Sequence, residues 1–322
     1  MLKDLTLLQP ARYFPIDKGK YAIKPGLFSL NSAFGNGRLD GCTFQVDTQI
    51  EEYLAEKQKC RIEQLDKYFL TRNLAPDTAS VINSFIVDTL LSDHPDLFAL
   101  QHDNDSRFLH CRITGDDIHT SDNKTHLNKQ ITLLDHLAMQ IQEDMAIVQL
   151  DQHNNNTLSA LHLCFPNYWS GQEKIGRDFI AVHKPVPGIE RINQRATELL
   201  HAMINKKPFV RFAWGLTTDK RLNHHPSPPP GVDALDWQGR AFNAHNPELY
   251  MRIERQTIHG FPKQKAVLFT IRTYFQDVVV IKQNQEKRQH LIGAISSMPE
   301  SSLAYKGLVQ SRPEILNWLN DH

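Results

Sequence analysis

Residues 161–188 read LHLCFPNYWSGQEKIGRDFIAVHKPVPG, and their pattern gives a strand, a loop, one helix and a rigid exit. Leu161, Leu163 and Phe165 alternate with His162 and Cys164, the two-residue period of a strand. Pro166 stops it. Ser170 and Glu173 stand at the spacing of a capping box, which satisfies two free N–H groups at a helix start. Ile175, Phe179 and Ile180 supply an apolar face, and the helix must end before Lys184, because Pro185 disfavours helical geometry at the residue before it. His183 therefore falls at the helix end, just ahead of the stiff Pro185-Val186-Pro187. A His held there has few orientations to lose on binding, which suits an iron ligand; the plainer reading is a surface or hydrogen-bonded core histidine.

The same two-residue period extends to both sides. Upstream, a helix over 131–143 runs into a buried strand, QEDMAIVQL, with Glu143 and Asp144 at the junction. The turn sequence QHNNN joins that strand to the next, so the two form a hairpin. The paired acids suit acid–base chemistry, or simply cap the junction. Downstream, a helix runs to about Ile204, then FVRFAWGL alternates cleanly with Val210, Phe212, Trp214 and Leu216 on one face. Residues 217–247 are irregular and Pro-rich, a lid, a partner surface or an insertion. In LYMRIERQTI, from Leu249, one face is apolar while the other carries Arg252, Glu254 and Gln256. That polar face meets water or lines a polar pocket. AVLFTIRTYF, from Ala266, is apolar on both faces yet contains Arg272. A buried Arg needs a partner, and Glu254 is the natural candidate, either as a structural ion pair or as part of a pocket for a small charged ligand.

Thr48 and Glu51 have capping-box spacing and open a helix over 48–70; Pro76 opens another that stops before Pro95. Residues 11–30 read as an aromatic extended segment with turns at 17–19 and 24–26. His102, His110, Cys111 and His119 lie in a polar stretch without compact metal-ligand spacing, which reads as a surface hairpin or loop. Helices around 285–298 and at the C-terminal end complete an α+β pattern. With no internal repeat or low-complexity linker, residues 1–322 read as a single domain.

Composition narrows the function. The 36 basic residues balance the 36 acidic ones, which argues against nucleic acid or an anionic membrane as the main partner. Four scattered Cys without a C-x-x-C show neither a thiolate zinc site nor an iron–sulfur motif, and suit a reducing cytoplasm. The opening MLKDLTLLQPARYF has no apolar core of signal-peptide length, and no run is long enough to span a bilayer.

Six blocks in order, RYFPIDKGKYAIKPGL, QEDMAIVQL, LCFPNYWSGQEKIGRDFIAVHKPVPG, LYMRIERQT, LFTIRTY and YKGL, resemble the haem-dependent oxidative N-demethylase family, its α subunit and α-like proteins, from about Arg12 to Leu308. The resemblance implies a haem-binding PAS-like antiparallel sheet with helices on one side, elaborated by N- and C-terminal helical segments. It implies haem b and O2 acting on dimethylamine to give methylamine and formaldehyde. Electrons would come from NADPH through partner subunits carrying flavin mononucleotide (FMN) and a 2Fe-2S cluster, with tetrahydrofolate taking up formaldehyde. Carried onto this chain, His183 is the expected axial ligand and His162 the runner-up. Lys174 and Arg177 are candidates for the haem propionates. Arg252, Glu254, Gln256 and Arg272 are the candidate polar groups around bound O2, with Glu254 also placed to hold an alkylammonium substrate. Two alternatives stay open: a non-catalytic haem-binding PAS-like sensor or small-molecule binder, and an α-like protein that has lost haem and serves as a structural subunit.

Overall fold

The computed structural model describes residues 6–103, 106–120, 126–238 and 241–321; the first five residues of the N-terminal stretch considered above lie outside it. Ten strands are numbered in chain order: β1 (Phe28–Ser29), β2 (Phe69–Thr71), β3 (Phe98–Asp103), β4 (Ser106–Cys111), β5 (Asp117–His119), β6 (Asp144–Leu150), β7 (Asn156–His162), β8 (Phe209–Thr217), β9 (Tyr250–Phe261) and β10 (Ala266–Asp277). Seven form one sheet in the order β1-β8-β9-β10-β6-β7-β2, with every neighbouring pair antiparallel. The polar stretch after residue 98 is a separate sheet of β3, β4 and β5. There His110 bonds Asp117 at 2.7 Å, while Phe98, Leu109, Cys111 and Ile118 pack into the core, so the stretch expected as a surface hairpin or loop is a meander with one buried face.

The large sheet is covered on both faces, not on one. Met145, Ile147, Ala160 and Leu268 share one face and pack on helices Ile50–Tyr68, Pro76–Asp93 and Leu127–Ala138. Val148, Leu158 and Leu161 point the other way, onto Phe179 and onto Ala196 and Leu200 of the helix Ala196–Asn205. Both layers are needed because β10 is apolar on both sides, as the parent pattern of a central strand requires. Helices Gln285–Ser296 and Arg312–Asn320 complete the first layer against Met251, Ile253 and Tyr274. No helix among the described residues is long and apolar enough to cross a membrane.

Several local expectations are corrected. The capping boxes do not form: Ser170 makes no side-chain cap, and the helix expected from Thr48 starts at Ile50, where Asp47 accepts from the Gln49 amide. The single helix expected across 170–183 is two short ones, Gly171–Lys174 and Phe179–His183. Gly176, at φ 77°, makes the break, a left-handed turn that a residue with a Cβ adopts only at a cost. The Arg272–Glu254 pair does not form either. Arg272 stands opposite Arg255 in the β9–β10 register, so it shares Arg255's face and not that of Glu254. Its partner is Asp47, at 2.8 Å, with both side chains fully buried.

Candidate functional site

The second sheet face carries a cavity of about 620 Å³. Ala146, Val148, Arg211, Glu254, Gln256 and Phe269 form its floor. The two short helices of 171–183 wall one side, and the aromatic segment 13–28 lies across it. Tyr305 and Lys306 close it at β8, where the Lys306 ammonium donates to the Trp214 carbonyl at 2.6 Å. β1 pairs with only the first two residues of β8, so this bond satisfies part of an otherwise open edge.

His183 projects into this space from the last turn of the helix Phe179–His183. Asp178 caps that helix, its carboxylate accepting from the Ala181 amide at 2.7 Å. Nδ1 of His183 lies 2.7 Å from the Phe179 carbonyl oxygen, and the two rings are 4.2 Å apart. A carbonyl can only accept, so Nδ1 carries the proton. Burial, reinforced by the cations of Arg211 and Lys174, pushes the imidazole down to about 4. His183 is thus neutral at physiological pH, with a lone pair on Nε2 that has no hydrogen-bond partner among the described residues. This is the form in which an imidazole ligates a metal.

Glu254 and Gln256 line the cavity together, the Gln256 amide donating to the Glu254 carboxylate at 3.1 Å. Cations gather around them. Lys174 sits over the Trp169 ring at 4.0 Å; burial lowers its pKa and Glu254 opposes the shift. Burial likewise lowers Arg211, again opposed by Glu254, and brings Lys306 down to about 8. Arg177 also lines the cavity, at its exposed rim.

The other expected residues go elsewhere. Arg252 shares the face of Glu254 but lies outside the cavity, donating to the carbonyls of Phe165 at 2.6 Å and Leu222 at 3.0 Å. It ties two loops to the sheet. Arg272 lies on the opposite face, with Asp47 and with its guanidinium 3.7 Å from the Tyr53 ring centroid. His162 is also on that face, its Nε2 3.4 Å from Asp135 and its Nδ1 3.9 Å from the Cys164 thiol, and it does not line the cavity. Asp144 joins His162 and Cys164 in a buried cluster, where its two oxygens accept the amides of Cys164 and Phe165 at 2.8 Å each. The acid at that junction is therefore a turn clamp. Sequence reasoning missed Arg211, Lys306 and Arg255. Arg211 carried a readable signal: it is the charged residue on the second face of the alternating FVRFAWGL strand.

Fold and site define an α+β protein with a cavity that presents one imidazole nitrogen among aromatic and cationic side chains. The chain belongs to the haem-dependent oxidative N-demethylase, alpha subunit-like family, whose model matches residues 41–316. The family is described by haem dependence and oxidative demethylation, and an alpha-subunit-like chain implies other subunits.

Proposed function

We propose that this chain, folding as one PAS-like domain, holds a b-type haem in the cavity through His183 and carries out oxidative N-demethylation of a small secondary amine of the dimethylamine kind. The observation that carries the reading is the neutral His183, its proton fixed on Nδ1 by Phe179 and its Nε2 free at the cavity wall. The surroundings suit the group. The volume is that of a small-molecule or cofactor site, and Trp169, Phe179, Trp214 and Phe269 supply flat apolar walls. Lys20, Lys24 and Arg177 line it with exposed side chains, where propionates keep their water and still meet cations.

The haem iron, when bound, supplies the centre at which O2 is reduced. For each N–CH3 cleaved, one O2, two electrons and two protons give the N–H amine, formaldehyde and water. This chain's residues do the rest. Glu254 holds the alkylammonium, and Gln256 orients its carboxylate. Lys306, brought close to neutral pH by burial, supplies a proton at Nζ. Arg252 and Arg272 position the loops and the opposite layer, outside the reaction. Electrons enter from partner subunits bearing FMN and a 2Fe-2S cluster, with tetrahydrofolate as formaldehyde acceptor. The four buried, unbridged cysteines suit a cytoplasmic setting.

The test is formaldehyde release from dimethylamine by the haem-loaded chain with an added flavin and iron–sulfur reductase. Amine-dependent release that falls at least tenfold in Glu254→Gln supports the reading. Haem binding without any turnover, across reductases and amines, transfers it to the sensor alternative.

A further inference from the structure

The inner charges of the cavity do not balance. Away from the exposed Asp17 and Glu173, one carboxylate, Glu254, interacts with the three cations Lys174, Arg211 and Lys306. An alkylammonium ion alone would add a fourth positive charge to this group. Arg211 is the clearest case. Three fully buried arginines each place at least one terminal nitrogen on an acceptor, though the Nε of each has no partner: Arg252 on the carbonyls of Phe165 and Leu222, Arg255 on those of Asp40 and Cys42, Arg272 on the carboxylate of Asp47. The guanidinium of Arg211 donates to no acceptor among the described residues, and its Nε is shut off from solvent without a partner. It lines the cavity floor. Its terminal nitrogens face the cavity, and their planar fork matches a carboxylate.

We propose that Arg211 is the receptor for a carboxylate group in the cavity, and that the substrate is a zwitterionic N-methyl amino acid, its ammonium against Glu254 and its carboxylate against Arg211. Arg211 stands opposite Gln256, and Ala213 opposite Glu254, across the β8–β9 pair. The two charged residues are thus diagonal neighbours on one face, with backbones roughly 7–8 Å apart, and both side chains are long enough to converge on the adjacent charged ends of a small amino acid. Such a substrate adds no net charge to the cluster. It keeps the secondary N-methyl amine of the reaction proposed above, on which only the chemistry, and not the binding, rests. A haem propionate is the other source of a carboxylate, but the exposed Lys20, Lys24 and Arg177 already provide for that dianion at the rim.

The experiment is calorimetric titration of the haem-loaded full chain with N-methylglycine, N-methylglycinamide and dimethylamine, repeated with Arg211→Gln and Arg211→Lys. N-methylglycine should bind at least tenfold tighter than the two ligands that lack the carboxylate. Arg211→Gln should weaken it roughly ten- to a hundredfold, the range of a charge-assisted pair; Arg211→Lys should recover part of that loss, and dimethylamine, relieved of one like charge, should bind no more weakly than to the parent. The comparison of ligands on the unaltered chain stands even if Arg211→Gln does not fold. Equal affinity for the acid and its amide overturns the proposal. So does an Arg211→Gln chain that loses haem but binds haem dimethyl ester as well as the parent does, since the carboxylate would then be a propionate. Arg211-dependent binding of N-methylglycine without formaldehyde release leaves the Arg211 carboxylate site standing, with the amino acid as ligand and not substrate, and removes the demethylase reading; the converse result does the opposite.

Discussion

Nδ1 of His183 lies 2.7 Å from the carbonyl oxygen of Phe179, one turn earlier in the same five-residue helix. That bond sets the tautomer and the ring orientation together. A helix this short has little stability of its own, so its N-terminal cap matters to the imidazole at its other end.

Asp178 is that cap. Asp178→Ala should cost about 1 kcal/mol locally. Because His183 then loses its fixed orientation, haem should leave severalfold faster while global stability changes little. Haem transfer to an excess of apomyoglobin, followed by absorbance, reads the rate. An unchanged rate would show that the ring is held by its packing on Phe179 and not by the helix.

The fully buried Arg272–Asp47 pair holds the helical layer to the sheet. Asp47 also accepts from the side chain of Gln142 at 3.1 Å. Asp47→Ala leaves a guanidinium without its counter-charge and should cost about 3–5 kcal/mol, seen as a lower urea midpoint. Arg272→Met in the same chain should recover part of the loss, because the stranded charge is removed.

His162 and Asp135 make stability depend on pH. Burial holds the His162 imidazole down to about 4, against an ordinary value of about 6.5. Unfolding therefore takes up a proton between those values, and stability falls as the pH drops from 6.5 towards 4. Burial would raise Asp135, but the nearby His162 ring and its bond to Arg61 hold it below the usual range, which acts in the same direction at lower pH. Glu143 and Asp144, raised by burial to about 6, oppose this: they release protons on unfolding, so their contribution falls as pH rises towards 6. His162→Gln should remove up to about 1.4 kcal/mol per pH unit of acid sensitivity. The difference in urea stability between pH 6.5 and 4.5 should narrow relative to the parent.

The segment across the cavity is fastened by two glycines. A Cβ on Gly293, in the helix Gln285–Ser296, would collide with the carbonyl oxygen of Gly19. The Tyr21 amide bonds the Ser297 hydroxyl at 2.9 Å just beyond. Gly293→Ala should push residues 19–21 outward, costing about 1–3 kcal/mol as overpacking does, and hydrogen exchange of the Tyr21 amide should quicken. Protection equal to the parent's would mean that the helix shifts instead of the segment.

What could be read in the sequence follows period and chain neighbourhood. The β6–β7 hairpin, the strands β8, β9 and β10, and His183 at a helix end all came from local alternation, turn residues and proline placement. Register did not. Arg272 and Glu254 look like natural partners in one dimension, yet their strands align Arg272 with Arg255 and put the two charges on opposite faces. The capping-box spacings at Thr48 and Ser170 were equally local, and tertiary contacts overrode them: Asp47, which accepts the Gln49 amide, is held in place by Arg272. Arg211 was passed over because its meaning depends on what β8 faces, and the cavity is assembled from segments as distant as 13–28 and Tyr305-Lys306.

The most direct measurement is the visible absorption spectrum of the haem-reconstituted chain beside His183→Ala and His162→Ala. The account predicts an intense Soret band in the parent, unchanged in His162→Ala, shifted or lost in His183→Ala, and restored there by free imidazole. A Soret band identical in the parent and His183→Ala would contradict it.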